Sequence, residues 1–241
     1  MQQRDHHDWA SDTYVEAWVQ RQQTADPARA ERLQLMCDLF SFPMDATVTI
    51  LDVGAGYGPV SKYILDQFPH ATCIAQDGSE PMLQRAQQRM DGYGARFITA
   101  QSDLFDANWV PHQSGPFDAV VSALCLHNLR DFRRISEIYS DIYTHLKPGG
   151  IFLNLDLVNA PTAALQQHYD QVATVRRQRE EASRTDSDAT VQQACQTPVH
   201  GSGHAFPASL HQHLAALKTA GFSEVDCFWK DLRQALYGGY T

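Results

Sequence analysis

The 241-residue sequence predicts an α/β protein built on a doubly wound, mostly parallel sheet, and three observations carry that prediction. Apolar runs rich in β-formers alternate with helical patterns, as parallel strands joined by right-handed crossovers require. The first run leads straight into a glycine-rich turn, GAGYG at 54–58, which opens a helix. The run at 223–230 (SEVDCFWK) is followed by 231–240 (DLRQALYGGY) with no room for a crossover helix, so the chain closes as an antiparallel hairpin.

Taken in order, the chain reads as one domain with four parts. Residues 1–45 form an N-terminal helical cap: two helical patterns over 9–40 flank Asp26-Pro27, with Trp9, Tyr14 and Trp18 in the first and Leu33, Met36 and Phe40 in the second. Residues 46–158 form the core. Its strands are expected at 47–53, 71–76, 95–100, 117–126 and 151–158, and its helices at 59–68, 79–90 and 131–146. Ser79 is placed to cap the second helix, with Pro81 in its first turn, and the KPGG of 147–150 stops the third. Residues 159–208 interrupt the sheet between its fifth and sixth strands. They begin with a helix whose Leu165, Tyr169 and Val172 share a face, then run through a polar stretch to HGSGHAFP. The cap and this insert are expected to cover the ligand edge of the sheet as a lid. Residues 209–241 supply a closing helix and the hairpin.

Composition narrows the partners. Nineteen Lys and Arg against 28 Asp and Glu give a formal net charge of −9, which offers no general attraction to a phosphate backbone or an anionic membrane. Nucleic acid is therefore a poor partner, and a small molecule a better one; homodimerisation is left open. The first ten residues (MQQRDHHDWA) have neither the basic head nor the apolar stretch of a leader, and no later run spans a bilayer, so the expected location is cytoplasmic. The five cysteines are scattered and contain no C-x-x-C, and the neighbouring His6-His7 lacks further ligands; no metal site is expected.

The glycine turn suits a nucleotide-like ligand, because glycine permits positive φ and close backbone approach. Its spacing departs from the dinucleotide fingerprint: after Gly54 and Gly56 the third glycine comes early, at Gly58, and Pro59 has no N–H to offer a pyrophosphate. The turn therefore suits a ligand without phosphates. Asp77, at the end of the second strand, can accept from both hydroxyls of a ribose and would repel a 2′-phosphate. Asp103, at the end of the third, can accept from an adenine amino group while Leu104 and Met82 pack on the ring.

Those residues resemble the class I S-adenosylmethionine-dependent methyltransferases. The matching stretches are ILDVGAGYG at 50–58, QDGSEPML at 76–83, Asp103, FDAVVSALCLHNL at 117–129, LKPGG at 146–150, and the closing AGF and FWK. The resemblance implies a Rossmann-like seven-stranded sheet with the last strand antiparallel. It also implies S-adenosyl-L-methionine as cofactor and S-adenosyl-L-homocysteine as product. Around the cofactor it implies the methionine part at Gly54 and Gly56, the ribose at Asp77 and the adenine at Asp103; Asp52, Tyr57, Gly78, Met82, Leu104 and Ala123 are the further cofactor-side candidates.

Methyl transfer from a sulfonium is an in-line displacement of a neutral leaving group, so the protein's main task is alignment, worth on the order of 7–11 kcal/mol. Tyr14, Trp18 and Tyr57 are candidates to face the positive sulfur. His127, just past the fourth strand with Asn128 beside it, is the candidate base or acceptor-pocket residue, and Tyr169 and His204 are further acceptor-side candidates. No N-P-P-Y or D-P-P-Y follows the fourth strand, and no Pro-Cys pair accompanies Cys125. The expected activity is methylation of a small organic acceptor at oxygen, nitrogen or carbon. The alternatives are another sulfonium chemistry on the same pocket, a tRNA or protein acceptor, and an NAD-dependent oxidoreductase.

Overall fold

A computed structural model describes residues 8–22, 27–111, 115–183 and 208–241. Seven strands form one sheet in the order β3-β2-β1-β4-β5-β7-β6. The strands are β1 (Thr49–Val53), β2 (Thr72–Asp77), β3 (Phe97–Gln101), β4 (Phe117–Ala123), β5 (Leu146–Leu157), β6 (Asp226–Asp231) and β7 (Gln234–Tyr240). The first five run parallel, while β7 lies antiparallel to both β5 and β6. The strand order reverses between β1 and β4, which puts a ligand crevice beyond their carboxyl ends.

The central strands are apolar on both faces because helices cover both. Along β1, Ile50 packs into one layer and Leu51 and Val53 into the other, as the period of two dictates. The first layer is closed by α2 (Pro27–Asp38) and α3 (Pro59–Gln67) through Met36, Val60 and Ile64. The second is closed by α5 (Phe132–His145) and α7 (Leu210–Ala220) through Ile138, Tyr139 and Leu217. Each fully buried aliphatic side chain contributes about 1.5–3 kcal/mol. Helix α4 (Glu80–Arg89) starts where Ser79 Oγ accepts from Met82 N at 3.2 Å, and α5 where Asp131 accepts from Arg133 N at 3.0 Å.

Some boundaries differ from the sequence reading. Helix α5 does end before Lys147, but 147–150 lies within β5, because Leu146 pairs with Phe117 across a register shift and the chain continues into Ile151 opposite Ala119. Strand β3 begins two residues late, after a 3-10 turn over Asp91–Arg96.

The cap holds the helices α1 (Asp12–Gln22) and α2, and the insert begins with a helix, as its sequence pattern predicts. Its helix α6 (Ala163–Ser183) rests against the β6–β7 turn, where Arg176 pairs with Asp231 at 2.7 Å and Asp170 with Arg233 at 3.3 Å. Leu165 is exposed and Tyr169 carries Lys230 Nζ over its ring at 4.9 Å. The polar stretch 184–207 lies outside the described residues. Among the described residues no helix is long and apolar enough to cross a membrane.

Candidate active site

A cavity of about 350 Å³ opens at the carboxyl ends of β1, β2 and β4. Its floor is the turn after β1. Gly54 has φ 66° and Gly56 φ 55°, a left-handed backbone that side chains disfavour. A Cβ on Gly54 would also lie 2.0 Å from Cys125 Sγ, so glycine here lets the chain after β4 close on the turn.

The first three N–H groups of that turn are already used. Gly54 N donates to Gln76 Oε1 at 3.2 Å, Ala55 N to the Gln76 carbonyl at 2.9 Å, and Gly56 N to Asp77 Oδ2 at 2.8 Å. One turn further, Asp52 Oδ2 accepts from Ser61 N at 3.1 Å and Ser61 Oγ at 2.7 Å, and Pro59 has no N–H. A phosphate-binding turn points such donors at its ligand. This one points them into the protein.

Asp77 is held at both oxygens: Oδ2 by Gly56 N, and Oδ1 by Ser79 N at 2.8 Å. Burial raises its pKa, and these backbone donors oppose the rise. Each carboxylate oxygen keeps a lone pair for a ligand hydroxyl. Beyond it Met82, Asp103 and Leu104 line the cavity, and Asp103 Oδ1 accepts from Phe105 N at 2.9 Å.

The roof is aromatic. Trp9, Trp18 and Tyr57 line the cavity in a chain of edge-to-face contacts, Trp9 to Trp18 at 5.5 Å and Trp18 to Tyr57 at 6.0 Å. Helix α1 is held there by Ser79 Oγ, which donates to the Trp9 carbonyl at 2.5 Å. Arg85 on α4 reaches Asp12 at 3.0 Å and Glu16 at 3.1 Å.

The far end is formed by Ala123, Leu124, Cys125, Asn128 and Leu129. Leu124 takes φ 55°, a strained backbone for a leucine on a cavity wall. Burial pushes the Cys125 thiol well above its ordinary pKa, so it is a neutral wall residue rather than a thiolate. Behind this wall, buried His127 places Nδ1 2.6 Å from Asp156 Oδ1 and gives its backbone N–H to Asp156 Oδ2 at 3.0 Å.

Of the residues singled out in the sequence, Gly54, Gly56, Tyr57, Asp77, Gly78, Met82, Asp103, Leu104, Ala123, Trp18 and Asn128 line this one cavity. Four described ones do not come together there. Tyr14 is displaced by Trp9, against which it packs at 5.3 Å. Asp52 lies beneath the turn as the brace of Ser61, His127 lies behind the wall, and Tyr169 sits at the hairpin. His204 is outside the described residues. Sequence reasoning missed Gln76, Asp156 and Arg29, the basic side chain among the described residues of the lining. Arg29 reaches the cavity from α2, and no local motif marks it.

A family model described as a methyltransferase domain matches residues 50–150. The chain is 31% identical over 107 residues to the ubiquinone/menaquinone biosynthesis C-methyltransferase of Desulfotalea psychrophila, covering 44% of this chain and 40% of that one. It is 33% identical over 104 residues to the malonyl-[acyl-carrier protein] O-methyltransferase of Xylella fastidiosa, covering 43% and 33%. It thus matches less than half the length of each of these relatives. Among solved structures, an O-methyltransferase family protein from Burkholderia thailandensis superposes with TM-score 0.62 at 20% identity, over 96% of this chain and 61% of that one. The phosphoethanolamine N-methyltransferase 2 of Haemonchus contortus, solved with S-adenosylhomocysteine, gives 0.60 at 20% identity over 90% and 43%. The methyltransferase-domain match thus covers β1 to β4, the glycine turn and most of the residues that line the cavity, and the solved structures share the fold.

Proposed function

We propose that the protein transfers the methyl group of S-adenosylmethionine to a small organic acceptor at oxygen, nitrogen or carbon. The observation that carries this reading is the glycine turn whose N–H groups bond Gln76 and Asp77. A nucleoside with an uncharged bridge and an amino-acid tail fits such a turn, whereas a dinucleotide pyrophosphate would find the N–H groups of Gly54, Ala55 and Gly56 already taken. The donor set fits the rest of the ligand. Asp77 offers its remaining lone pairs to the ribose, Asp103 and Leu104 serve the adenine, and Arg29 supplies a cation for the methionine carboxylate.

When bound, the sulfonium supplies a methyl carbon open to in-line attack with a neutral thioether as leaving group. The chain's own residues hold the line. Trp18 and Tyr57 offer aromatic faces to positive charge, a contact worth about 0.5–2 kcal/mol. Residues 124–129 shape the acceptor end, and Asp156 holds the His127 ring in place behind it. The cavity wall, a net acidic chain and relatives named for carbon and oxygen methylation support a small acceptor over a nucleic acid.

The test is incubation with methyl-labelled S-adenosylmethionine and a cell extract, followed by counting label in small-molecule, protein and nucleic-acid fractions beside an Asp77→Ala control. Label among small molecules that falls ten- to a hundredfold in the control is expected, from loss of a charge-assisted acceptor worth about 1.5–3 kcal/mol. Label in RNA, DNA or protein would overturn the acceptor class.

A further inference from the structure

The geometry points to Gln76 as a positioning residue that sets the spacing between the two ends of the cofactor, an inference that rests on the cofactor reading above. Strand β2 lies between β1 and β3, with Gln76 paired to Val53 on one side and to Ala100 on the other. Its side chain is fully buried. At one end Oε1 accepts from Gly54 N at 3.2 Å, and at the other Nε2 donates to the Ser102 carbonyl at 2.7 Å. Gly54 begins the turn assigned to the methionine part, and Ser102 precedes Asp103, assigned to the adenine.

A primary amide accepts through one atom and donates through the other. A carboxylate in its place could take the Gly54 N–H but could not donate to Ser102, and an apolar isostere could do neither. The Ser102 side is itself anchored, with Ser102 Oγ donating to the Trp109 carbonyl at 2.6 Å and Ser102 N to the Asp77 carbonyl at 3.2 Å. The amide therefore ties the first glycine of the turn to an anchored strand end. Loss of this tie lets the turn move relative to the adenine site while the ribose carboxylate of Asp77 stays in place.

The experiment compares two ligands by calorimetry: S-adenosylhomocysteine, and 5′-methylthioadenosine, which has the same nucleoside without the amino-acid tail. For Gln76→Met the expected result is about a tenfold loss of affinity for the first and less than a twofold change for the second. Gln76→Glu, which keeps only the turn contact, is expected to show the same selective loss. A purely structural role would weaken both ligands alike, and that outcome, or wild-type S-adenosylhomocysteine affinity in Gln76→Glu, overturns the brace. If Gln76→Met does not fold, Gln76→Glu decides alone. Wild-type protein binding neither ligand would overturn the cofactor reading and the brace with it; wild-type binding without a selective loss in the variants would overturn the brace only.

Discussion

At the β1–β3 end of the cavity, the polar contacts join backbone to side chains only a few residues from a strand end: Gln76, Asp77 and Ser79 at the close of β2, and Asp103 after β3. At the β4–β5 end, the wall of residues 124–129 is backed instead by a carboxylate from the neighbouring strand, Asp156. Below it lies a buried network in which Tyr139 OH meets His213 Nδ1 at 2.8 Å and Tyr237 OH at 3.1 Å, and Asn154 Nδ2 donates to Tyr237 OH at 2.8 Å. The first end is a backbone device, fixed before any ligand arrives. The second is built from side chains on four elements, so its chemistry can vary without disturbing the first.

Breaking the first end has the largest expected effect. Gly54→Ala forces a strained φ of 66° and sets a methyl 2.0 Å from Cys125 Sγ, so the turn and the acceptor wall cannot both keep their places. Calorimetry is expected to find no measurable S-adenosylhomocysteine binding. The double variant with Cys125→Gly removes the overlap but keeps the backbone strain, and is expected to recover binding only in part. Full recovery would assign the whole effect to crowding; unchanged affinity in Gly54→Ala would show that the turn does not meet the cofactor.

The second end should fail differently. His127→Ala is expected to leave S-adenosylhomocysteine affinity within twofold while turnover falls about 10- to 100-fold, because the wall loses the ring that backs it. Asp156→Asn is expected to follow in the same direction with a smaller loss, because it loosens the ring rather than removing it. Steady-state kinetics with an identified acceptor checks both. Full turnover in His127→Ala would show that the ring does not set the position of the wall.

The same contrast explains what could be read from the sequence. Asp77 and Asp103 were legible because a strand end followed by a helix fixes where the next side chain goes. Tyr14 packs behind Trp9, which lies ahead of α1 and takes the cavity position, an arrangement that the helical pattern of the cap does not encode. His127 was placed at the acceptor edge, but a 3-10 turn over Leu126–Leu129 rotates each residue by about a third of a turn. That turns His127 inward to Asp156 and leaves Asn128 and Leu129 on the wall. Gln76 looked like any strand residue, since its partners come from the turn after β1 and the end of β3. Arg29 and Tyr169 depend on how separate helices dock, which periodicity within one helix does not encode.

The smallest effect compares the two ends by titration. His213, buried under the acceptor end, has its pKa pushed down from 6.5 to about 4 by burial, against the attraction of Asp156. Between those values the unfolded chain carries a proton that the folded chain does not. This contribution to stability is therefore full above pH 6.5 and lost as the pH falls toward 4. Asp52, beneath the glycine turn, behaves oppositely. Burial raises its pKa from 3.8 to about 6, with Asp77 adding to the rise and Ser61 and Arg29 opposing it, so the folded state holds the extra proton. Its contribution is full below pH 3.8 and lost as the pH rises through 6. Each corresponds to roughly 3 kcal/mol at its limit, and over pH 4 to 6 the slopes have opposite sign and comparable size. Thermal melts of single variants separate them. Relative to wild type, His213→Gln is expected to gain stability as the pH falls from 6.5 to 4, and Asp52→Asn to lose it from 6 to 3.8. Parallel melting curves for either variant and the wild type would mean that the residue does not titrate as its burial requires, and that the two ends of the cavity do not differ in their response to acid.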